Sequence, residues 1–173
     1  MPYSEEFGDF YYSRADGRVE SRHVFVDGNR LRERFKTASH FTLGELGFGT
    51  GLNFLETWDV WDRTAPETSE LTFHSFELKL LEAPQIKRAL SVWPDLGARV
   101  DRMLEGWPAD TEDDVALIFS TGTKTIRLFV HRGFAHDRLP DMDVRADAWF
   151  LDGFAPSRNP EMWSADLLKA VAS

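Results

Sequence analysis

The sequence contains no cysteine. Disulfide bonds, thiolate nucleophiles and cysteine-ligated zinc sites are therefore excluded for this chain. No apolar run approaches the roughly 18 residues that a transmembrane helix needs. The N-terminal stretch is acidic and aromatic, which is typical of neither a signal peptide nor a transit peptide. From these absences we expect a cytoplasmic protein with no membrane partner.

Common catalytic and metal-binding motifs are also missing. No glycine loop ends in the Gly-Lys-Ser/Thr of a P-loop, and no serine lies in a nucleophile elbow. Of the five histidines, only His131 and His136 are close together, and a spacing of five does not place two side chains on one helix face. We therefore predict no metal site.

Acidic residues outnumber basic ones, and the formal net charge is −9 over 173 residues. This excess disfavours a nucleic-acid partner, because phosphate neutralisation requires a basic surface. Residues 1–36, however, hold seven acidic and seven basic side chains, so the whole excess lies in the rest of the chain. The arginine-rich N-terminal segment is either a solvated surface or a contact with RNA.

The pattern of apolar residues predicts strands alternating with helices. Short apolar runs indicate strands at 41–46, 71–76 and 145–154, and a hairpin at 115–130 whose turn is Thr121-Gly122-Thr123. The last strand is almost continuously apolar, as expected of one buried on both faces. This order predicts an open, mostly parallel α/β sheet with right-handed crossovers, in which ligands bind at the carboxyl ends of the strands.

Helices are predicted between these strands. One is expected at 83–92, where Trp93-Pro94 ends it, and another begins at Ser164. Because the chain stops soon after the last strand, we expect either a truncated sheet or a partner that covers the apolar edge. The helix that follows the first strand is indicated by a stripe at helical spacing, namely Leu52, Leu55, Trp58 and Trp61.

The N-terminal region is predicted to be a separate extension. The run Val24-Phe25-Val26 indicates a strand, and Asp27-Gly28-Asn29 indicates a turn that leads to another short element. We therefore expect a β-hairpin extension over 1–40 and a ligand-binding α/β domain over 41–173.

A glycine-rich turn follows the first predicted strand, in the sequence Glu45-Leu46-Gly47-Phe48-Gly49-Thr50-Gly51. Its G-x-G-x-G spacing differs from the dinucleotide fingerprint, but it likewise lets a ligand approach the backbone at a helix N-terminus. The acid before it suits a cationic ligand such as S-adenosylmethionine, and an acid that closes the second strand can accept hydrogen bonds from both ribose hydroxyls. The alternative is a tight turn with a solvated Glu77. The predicted cofactor-binding residues are Glu45, Gly47, Gly49, Gly51, Asn53 and Glu77.

Asp152 directly follows the last strand and is the candidate catalytic residue. A carboxylate at that strand tip can orient an amine and receive its proton. Pro156 stiffens the following loop, and Phe154 and Trp163 are candidates for stacking on a planar base. Alternatively, the aspartate caps a turn and the aromatic side chains fill the core.

Four stretches together resemble the MnmC-type methyltransferase domain: "ELGFGTGLNF", "HSFEL", "WFLDGFAPSRNPEMWS" and "FYYSRADGRVESRHVFVDGNRLRERF". The resemblance covers nearly the whole chain. It implies a Rossmann-like class I fold, S-adenosylmethionine as cofactor and tRNA as partner. The implied reaction is the final methylation of 5-methylaminomethyl-2-thiouridine at the wobble position, with Asp152 serving the substrate amine.

The sequence departs from this family pattern in two places. Members usually carry a Gly-Asp pair after the third strand, near the adenine, whereas here Gly133 precedes Phe134, which leaves Asp137 or a backbone group for that contact. The family domain also continues beyond residue 173. Many members carry a flavin-dependent oxidase domain that acts upstream, and a separate oxidase protein is the alternative.

Two other functions remain open at this point. The acidic charge suits a methyltransferase that acts on a small-molecule amine. A module that binds RNA or a partner enzyme without catalysis is the third reading.

Overall fold

The structure is a computed structural model, and it describes residues 3–4, 9–10, 17–142, 144–152 and 171. One sheet dominates these residues, with the strand order β5–β6–β4–β3–β7, and the short strands β1 and β2 pair with each other. Within the sheet β3, β4, β6 and β7 run parallel, and β5 runs antiparallel to β6. The predicted mostly parallel α/β sheet is thus confirmed. The strands are β1 (Tyr3–Ser4), β2 (Asp9–Phe10), β3 (His40–Leu46), β4 (Glu70–Glu77), β5 (Val115–Thr121), β6 (Lys124–Arg132) and β7 (Ala148–Leu151).

Six α-helices lie in the described residues: α1 (Gly17–Ser21), α2 (Leu31–Arg34), α3 (Leu52–Thr64), α4 (Ala83–Leu90), α5 (Gly97–Glu105) and α6 (Ala135–Arg138). A π-helical turn and three 3₁₀ turns accompany them, at Arg22–Asp27, Phe35–Thr37, Pro94–Leu96 and Leu139–Asp141. None of these helices is long and apolar enough to cross a membrane.

The two helices predicted after the first and second strands are present. The apolar stripe of α3 is buried, as its spacing predicted. α4 begins with a capping box in which Glu82 and Gln85 satisfy each other's backbone N–H groups, and it ends before Pro94. The sequence did not indicate α5. The helix predicted from Ser164 lies outside the described residues, apart from Val171.

The strand predicted at Val24-Phe25-Val26 is wrong, because this stretch is helical and belongs to the π-helical turn. Local β-propensity is overridden here by tertiary contacts: Val26 is buried in the core, and the ring of Phe25 lies 5.0 Å from that of Phe150. The turn was predicted correctly, since residues 28–30 form it. The hairpin expected from that strand is therefore also wrong at these residues; the antiparallel pairing in this region joins β1 and β2, which the sequence did not indicate.

The last strand is less buried than the sequence indicated. Ala148 and Phe150 are buried on one face, whereas on the other face Trp149 is half-buried and Leu151 is 36% exposed. Within the described residues β7 pairs only with β3 and is an edge strand. Its continuous apolar character therefore does not reflect full burial on both faces.

The main core lies on one face of the sheet. It is covered there by α3, α4, α5 and the helical N-terminal segment, which comprises residues 17–37. Two tryptophans of α3, Trp58 and Trp61, are fully buried in this core, and Trp107 is also buried. The opposite face carries a smaller cluster, formed by Leu46, Phe76, Ala135 and Leu139.

Candidate functional site

The predicted acids meet at one edge of the sheet. Leu46 of β3 pairs with Phe76 of β4 and with Leu151 of β7, so these parallel strands end level with one another. The order of connections reverses at β3, because the chain leaves it for β4 on one side and later returns as β7 on the other. In open α/β sheets the crevice at such a reversal binds ligands.

The glycine turn connects β3 to α3 and lies against the end of β4. Gly47 donates its backbone N–H to the carbonyl of Phe76 over 2.9 Å. Gly51 has a φ of 80°, and a Cβ at this position would lie 2.8 Å from Cζ of Phe48. A larger residue is thus excluded both by backbone conformation and by space. The other two turn glycines also have positive φ, 91° at Gly47 and 54° at Gly49.

Glu45 is fully buried beneath this turn. One carboxylate oxygen accepts a hydrogen bond from the Ser75 hydroxyl at 2.6 Å, and the other accepts one from Nδ2 of Asn53 at 3.0 Å. Burial raises the pKa of Glu45 well above its ordinary range, and these two hydrogen bonds offset only part of that effect. The side chain is therefore a positioned buried acid, not a solvated one.

Glu77 closes β4 and faces the glycine turn. Its Oε2 accepts the backbone N–H of Gly49 at 2.9 Å, and its Oε1 accepts that of Lys79 at 3.1 Å. Burial raises the pKa of Glu77, while the backbone N–H donors around it act in the opposite direction. The backbone N–H groups of Phe48 and Leu78 also act on this carboxylate. Its two acceptor oxygens lie at the glycine turn, where they suit the hydroxyl groups of a ligand.

Asp152 follows β7 at the same edge. Its Oδ2 accepts a hydrogen bond from Nδ2 of Asn53 at 2.6 Å. Solvent reaches this exposed residue from one side, while the protein atoms packed around its carboxyl group desolvate it. That desolvation raises the pKa of Asp152 to about 7, with a smaller rise from the charge of Glu20 and an opposing effect of Asn53. A group that titrates near neutrality suits proton transfer.

Asn53 joins the acids of two strands, because its amide group donates to both Glu45 and Asp152. Its Oδ1 accepts a hydrogen bond from the hydroxyl of Ser21 at 2.5 Å. Sequence reasoning placed Asn53 at the cofactor site but missed Ser21 altogether. No local pattern signals a contact between residues that lie 32 positions apart.

Histidines contribute a pair that the sequence did not indicate. His74 and His131 stack, with Nδ1 of the first 3.0 Å from Nε2 of the second. Burial lowers the pKa of both, to about 4 for His74. In the described part of the chain, no group of three or more His, Cys, Asp or Glu side chains is arranged to hold a metal.

The residues considered for the adenine contact lie beyond the end of β6. Gly133 donates its N–H to the carbonyl of Glu77 at 2.9 Å, and Phe134 after it is 41% exposed. Oδ1 of Asp137 lies 3.3 Å from Nε2 of His136, and the side chain is exposed. The predicted substrate-binding residues Phe154, Pro156 and Trp163 lie outside the described residues.

Taken together, the edge presents three carboxylates around a glycine turn and a helix N-terminus. Such a set suits a ligand that has a positive charge and neighbouring hydroxyl groups, because carboxylates attract the charge and accept hydroxyl hydrogen bonds. The residues therefore fit S-adenosylmethionine, which carries a sulfonium, an ammonium and a ribose. Glu77 is the residue suited to the ribose, and the glycines leave room for close approach.

Comparisons with known proteins agree with the cofactor that the geometry fits. Residues 94–173 match the family described as S-adenosyl-L-methionine-dependent methyltransferase. Among curated proteins, the chain is 45% identical over 99% of its length to the "tRNA 5-methylaminomethyl-2-thiouridine biosynthesis bifunctional protein MnmC" of Chromohalobacter salexigens, and covers 24% of that protein. It is 44% identical over 99% of its length to the protein of that name from Pseudomonas aeruginosa PAO1, and covers 26% of it.

The chain thus spans about a quarter of the length of these curated relatives. Among solved structures, the crystal structure of MNMC2 from Aquifex aeolicus matches 98% of this chain and 51% of its own, with a TM-score of 0.72 at 24% identity. That likeness establishes the Rossmann-like fold. The chain is thus similar over nearly its whole length to the MnmC proteins, and its residues 94–173 match the S-adenosyl-L-methionine-dependent methyltransferase family.

Proposed function

We propose that this chain transfers a methyl group from S-adenosylmethionine to the aminomethyl nitrogen of a modified wobble uridine in tRNA. The observation that carries the proposal is the junction of Glu45, Asn53 and Asp152 beside the glycine turn. It combines a buried site for a cationic cofactor with an accessible carboxylate at the neighbouring strand end.

The cofactor side is formed by the turn and the first two strand ends. Glu77 accepts hydrogen bonds from the ribose hydroxyls beside the backbone N–H groups of Gly49 and Lys79, and the buried Glu45 accepts the amide N–H of Asn53 under the turn. The cofactor, when bound, supplies a methyl group attached to a positively charged sulfur. The helix N-terminus of α3 adds backbone N–H groups for polar ligand atoms.

Asp152 serves the acceptor side. Its carboxylate accepts a hydrogen bond from the substrate amine, which directs the nitrogen lone pair, and it takes up the proton that the nitrogen loses on alkylation. With a pKa of about 7, half of the side chains are ionised at neutral pH. Positioning of the amine supplies a further part of the rate, since displacement at a methyl group requires a collinear arrangement.

The choice of tRNA as substrate comes from the relatives, whose names refer to the biosynthesis of 5-methylaminomethyl-2-thiouridine in tRNA. The aminomethyl precursor of that nucleoside is an ammonium ion in water, and the acidic edge attracts it. It gives one proton to solvent before the attack, because only the neutral amine has a lone pair on nitrogen. The acids of the site thus favour binding of the substrate amine, although the net charge of −9 does not favour binding of the RNA backbone.

That net charge favours a second candidate, a methyltransferase for small-molecule amines. Both candidates use the same acids, so only the acceptor distinguishes them. Binding of RNA or of a partner without catalysis is the outcome in which no methyl group is transferred.

Three further features belong to the proposal. A flavin-dependent oxidase, in the same protein or a separate one, prepares the aminomethyl group, and the protein works in the cytoplasm, where a cysteine-free chain needs no disulfides. Residues 1–40 form an extension to a cofactor-binding unit at 41–173. Phe154, Pro156 and Trp163 contact the uridine.

The test compares the wild-type chain with Glu77→Gln and Asp152→Asn. Calorimetry measures S-adenosylmethionine binding, and transfer of a labelled methyl group is measured with tRNA that carries the unmethylated aminomethyl nucleoside. We expect Glu77→Gln to bind the cofactor at least tenfold more weakly, because one ribose acceptor becomes a donor. We expect Asp152→Asn to bind within about threefold of wild type and to lose at least a hundredfold in kcat.

Fully methylated tRNA and free amines such as ethanolamine are the matched acceptors. Transfer to free amines but not to unmethylated tRNA supports the second candidate. A folded wild-type chain that binds no cofactor contradicts both. An Asp152→Asn variant with wild-type kcat contradicts the role of this carboxylate.

A further inference from the structure

The helical N-terminal segment contacts the site through Ser21. This side chain, 3% exposed, donates its hydroxyl hydrogen to Oδ1 of Asn53 over 2.5 Å. Asn53 is itself 6% exposed. Both members of this hydrogen bond are thus shielded from water, so its loss is not compensated by solvent.

The hydrogen bond from Ser21 matters because it determines which way the Asn53 amide points. A primary amide has two N–H donors and one carbonyl acceptor. In Asn53 the donors face Glu45 Oε1 at 3.0 Å and Asp152 Oδ2 at 2.6 Å, so the carbonyl oxygen must point away from both acids. Ser21 is the donor that satisfies that oxygen. Without it, a buried acceptor lacks a partner and the amide turns toward another donor.

The segment that carries Ser21 is fixed to α3 by ionic contacts. Arg18 and Arg22 both pair with the buried Glu56, which lies one turn along α3 from Asn53. Arg18 also pairs with Asp95 at 2.7 Å. The hydroxyl of Ser21 is therefore held by the rigid part of the fold and not by a loose terminus.

We propose that Ser21 is a positioning residue of the methyl-transfer site, whose hydroxyl fixes the Asn53 amide so that Asn53 holds the Asp152 carboxylate toward the acceptor amine. This inference rests on the proposed function, in which Asp152 receives the proton. It makes the N-terminal segment a working part of the site instead of an appended extension.

The groups around Asp152 determine whether its pKa rises or falls when Ser21 is replaced. Glu45 faces it from β3 with Glu77 of β4 beyond, and Glu20 faces it from α1, while the nearby arginines are paired with Glu56. Asn53 is the neutral donor that favours the ionised form of Asp152. When Ser21 no longer fixes the amide, this stabilisation weakens and the pKa of Asp152 rises.

The experiment uses Ser21→Ala, Ser21→Thr and the control Ser91→Ala, which removes a hydroxyl that donates to the carbonyl of Arg88 at an exposed position. The pKa of Asp152 is read from its ¹³C carboxyl resonance, identified by its disappearance in Asp152→Asn. We expect Ser21→Ala to raise this pKa by about one unit, which corresponds to partial loss of one hydrogen bond to a charged group.

Methylation of tRNA supplies the second readout. The acid limb of the kcat profile should move up by the same amount, so that kcat at pH 7 falls about fivefold as the ionised fraction falls, while KM and cofactor affinity stay near wild type. Ser21→Thr retains the hydroxyl and should restore both the pKa and the profile. Ser91→Ala should behave as wild type.

The inference is overturned if folded Ser21→Ala keeps the wild-type pKa of Asp152 and the wild-type pH profile. Should Ser21→Ala fail to fold, Ser21→Cys takes its place, because a thiol is nearly isosteric and a weaker donor; an unchanged pKa in that variant overturns the inference equally. A wild-type chain that binds cofactor but does not methylate tRNA contradicts only the proposed function, since the resonance titration still decides whether Ser21 acts on Asp152.

Discussion

Replacement of the buried acid Glu45 by glutamine should stabilise the protein increasingly as the pH rises. Burial raises the pKa of Glu45 well above its ordinary value of 4.5. Below that value the folded and unfolded chains are both protonated, and the contribution to stability is fully present. As the pH rises, the unfolded chain ionises while the folded chain keeps its proton, so wild-type stability is lost until the folded pKa is reached.

The size of this stability difference follows from the linkage between proton binding and folding. Each pH unit in which only the folded state holds this proton lowers the free energy of unfolding by about 1.4 kcal/mol. Glutamine carries no such proton, and its amide can donate to Ser75 and accept from Asn53, which preserves both hydrogen bonds of the site. Between the ordinary value of 4.5 and the raised folded pKa, Glu45→Gln should therefore gain about 1.4 kcal/mol per pH unit relative to wild type.

Other titratable groups also change how the free energy of unfolding of the wild type varies with pH. They contribute equally to Glu45→Gln, so they leave the difference between the two proteins unchanged. The pKa values of His74 and His131 are lowered, so their contribution is reduced at low pH and rises until the pH passes their ordinary value of 6.5. The raised pKa values of Glu77 and Asp152 act in the same direction as that of Glu45. The histidines oppose these acids below about pH 6.5, so the wild-type free energy of unfolding should fall more steeply above that pH.

Urea unfolding followed by tryptophan fluorescence at pH 5, 6, 7 and 8 measures the difference. Glu105→Gln, at an exposed position of α5, is the matched control and should track the wild type at every pH. Parallel curves for Glu45→Gln and wild type would refute the reasoning, because they would mean that Glu45 is ionised in the folded protein over the whole range.

The remaining predictions concern packing and charge. Gly44→Ala should destabilise the protein by about 3 kcal/mol or more in thermal unfolding, because its Cβ would lie 2.4 Å from the ring of Trp149 on β7. The control Gly97→Ala, at a helical position with no atom within 4 Å of the added Cβ, should instead raise Tm slightly; a large loss there contradicts the packing argument. Glu20→Gln removes a negative charge that raises the pKa of Asp152, so the acid limb of methyl transfer should move down by a few tenths of a unit, and an upward shift would contradict it.

Some residues of the site could be predicted from the local sequence pattern. Glu45 precedes the glycine turn, Glu77 closes β4 and Asp152 follows β7, and each position is readable because parallel strands end at the same edge of a sheet. The register confirms that these ends are level. The hairpin of β5 and β6 was equally readable, since its apolar runs flank a glycine-containing turn.

Other parts depend on contacts between distant residues. The run of β-branched and aromatic residues at 24–26 favours a strand locally, yet it is helical because Phe25 packs on Phe150 and two arginines earlier in the segment pair with Glu56. The stacked pair of His74 and His131 arises only because β4 and β6 are neighbours in the sheet. A short apolar run does not by itself determine the conformation when such contacts compete with propensity.

The sequence by itself determined where the strands of the parallel sheet lie and that a glycine turn and three acids face its carboxyl edge, because apolar period and residue type act locally. Only the tertiary structure decided how those acids are used. Burial of Glu45 raises its pKa, the amide of Asn53 connects it to Asp152, and Ser21 completes that network from the N-terminal segment. Desolvation and hydrogen bonding across the fold depend on three-dimensional proximity, which no local pattern encodes.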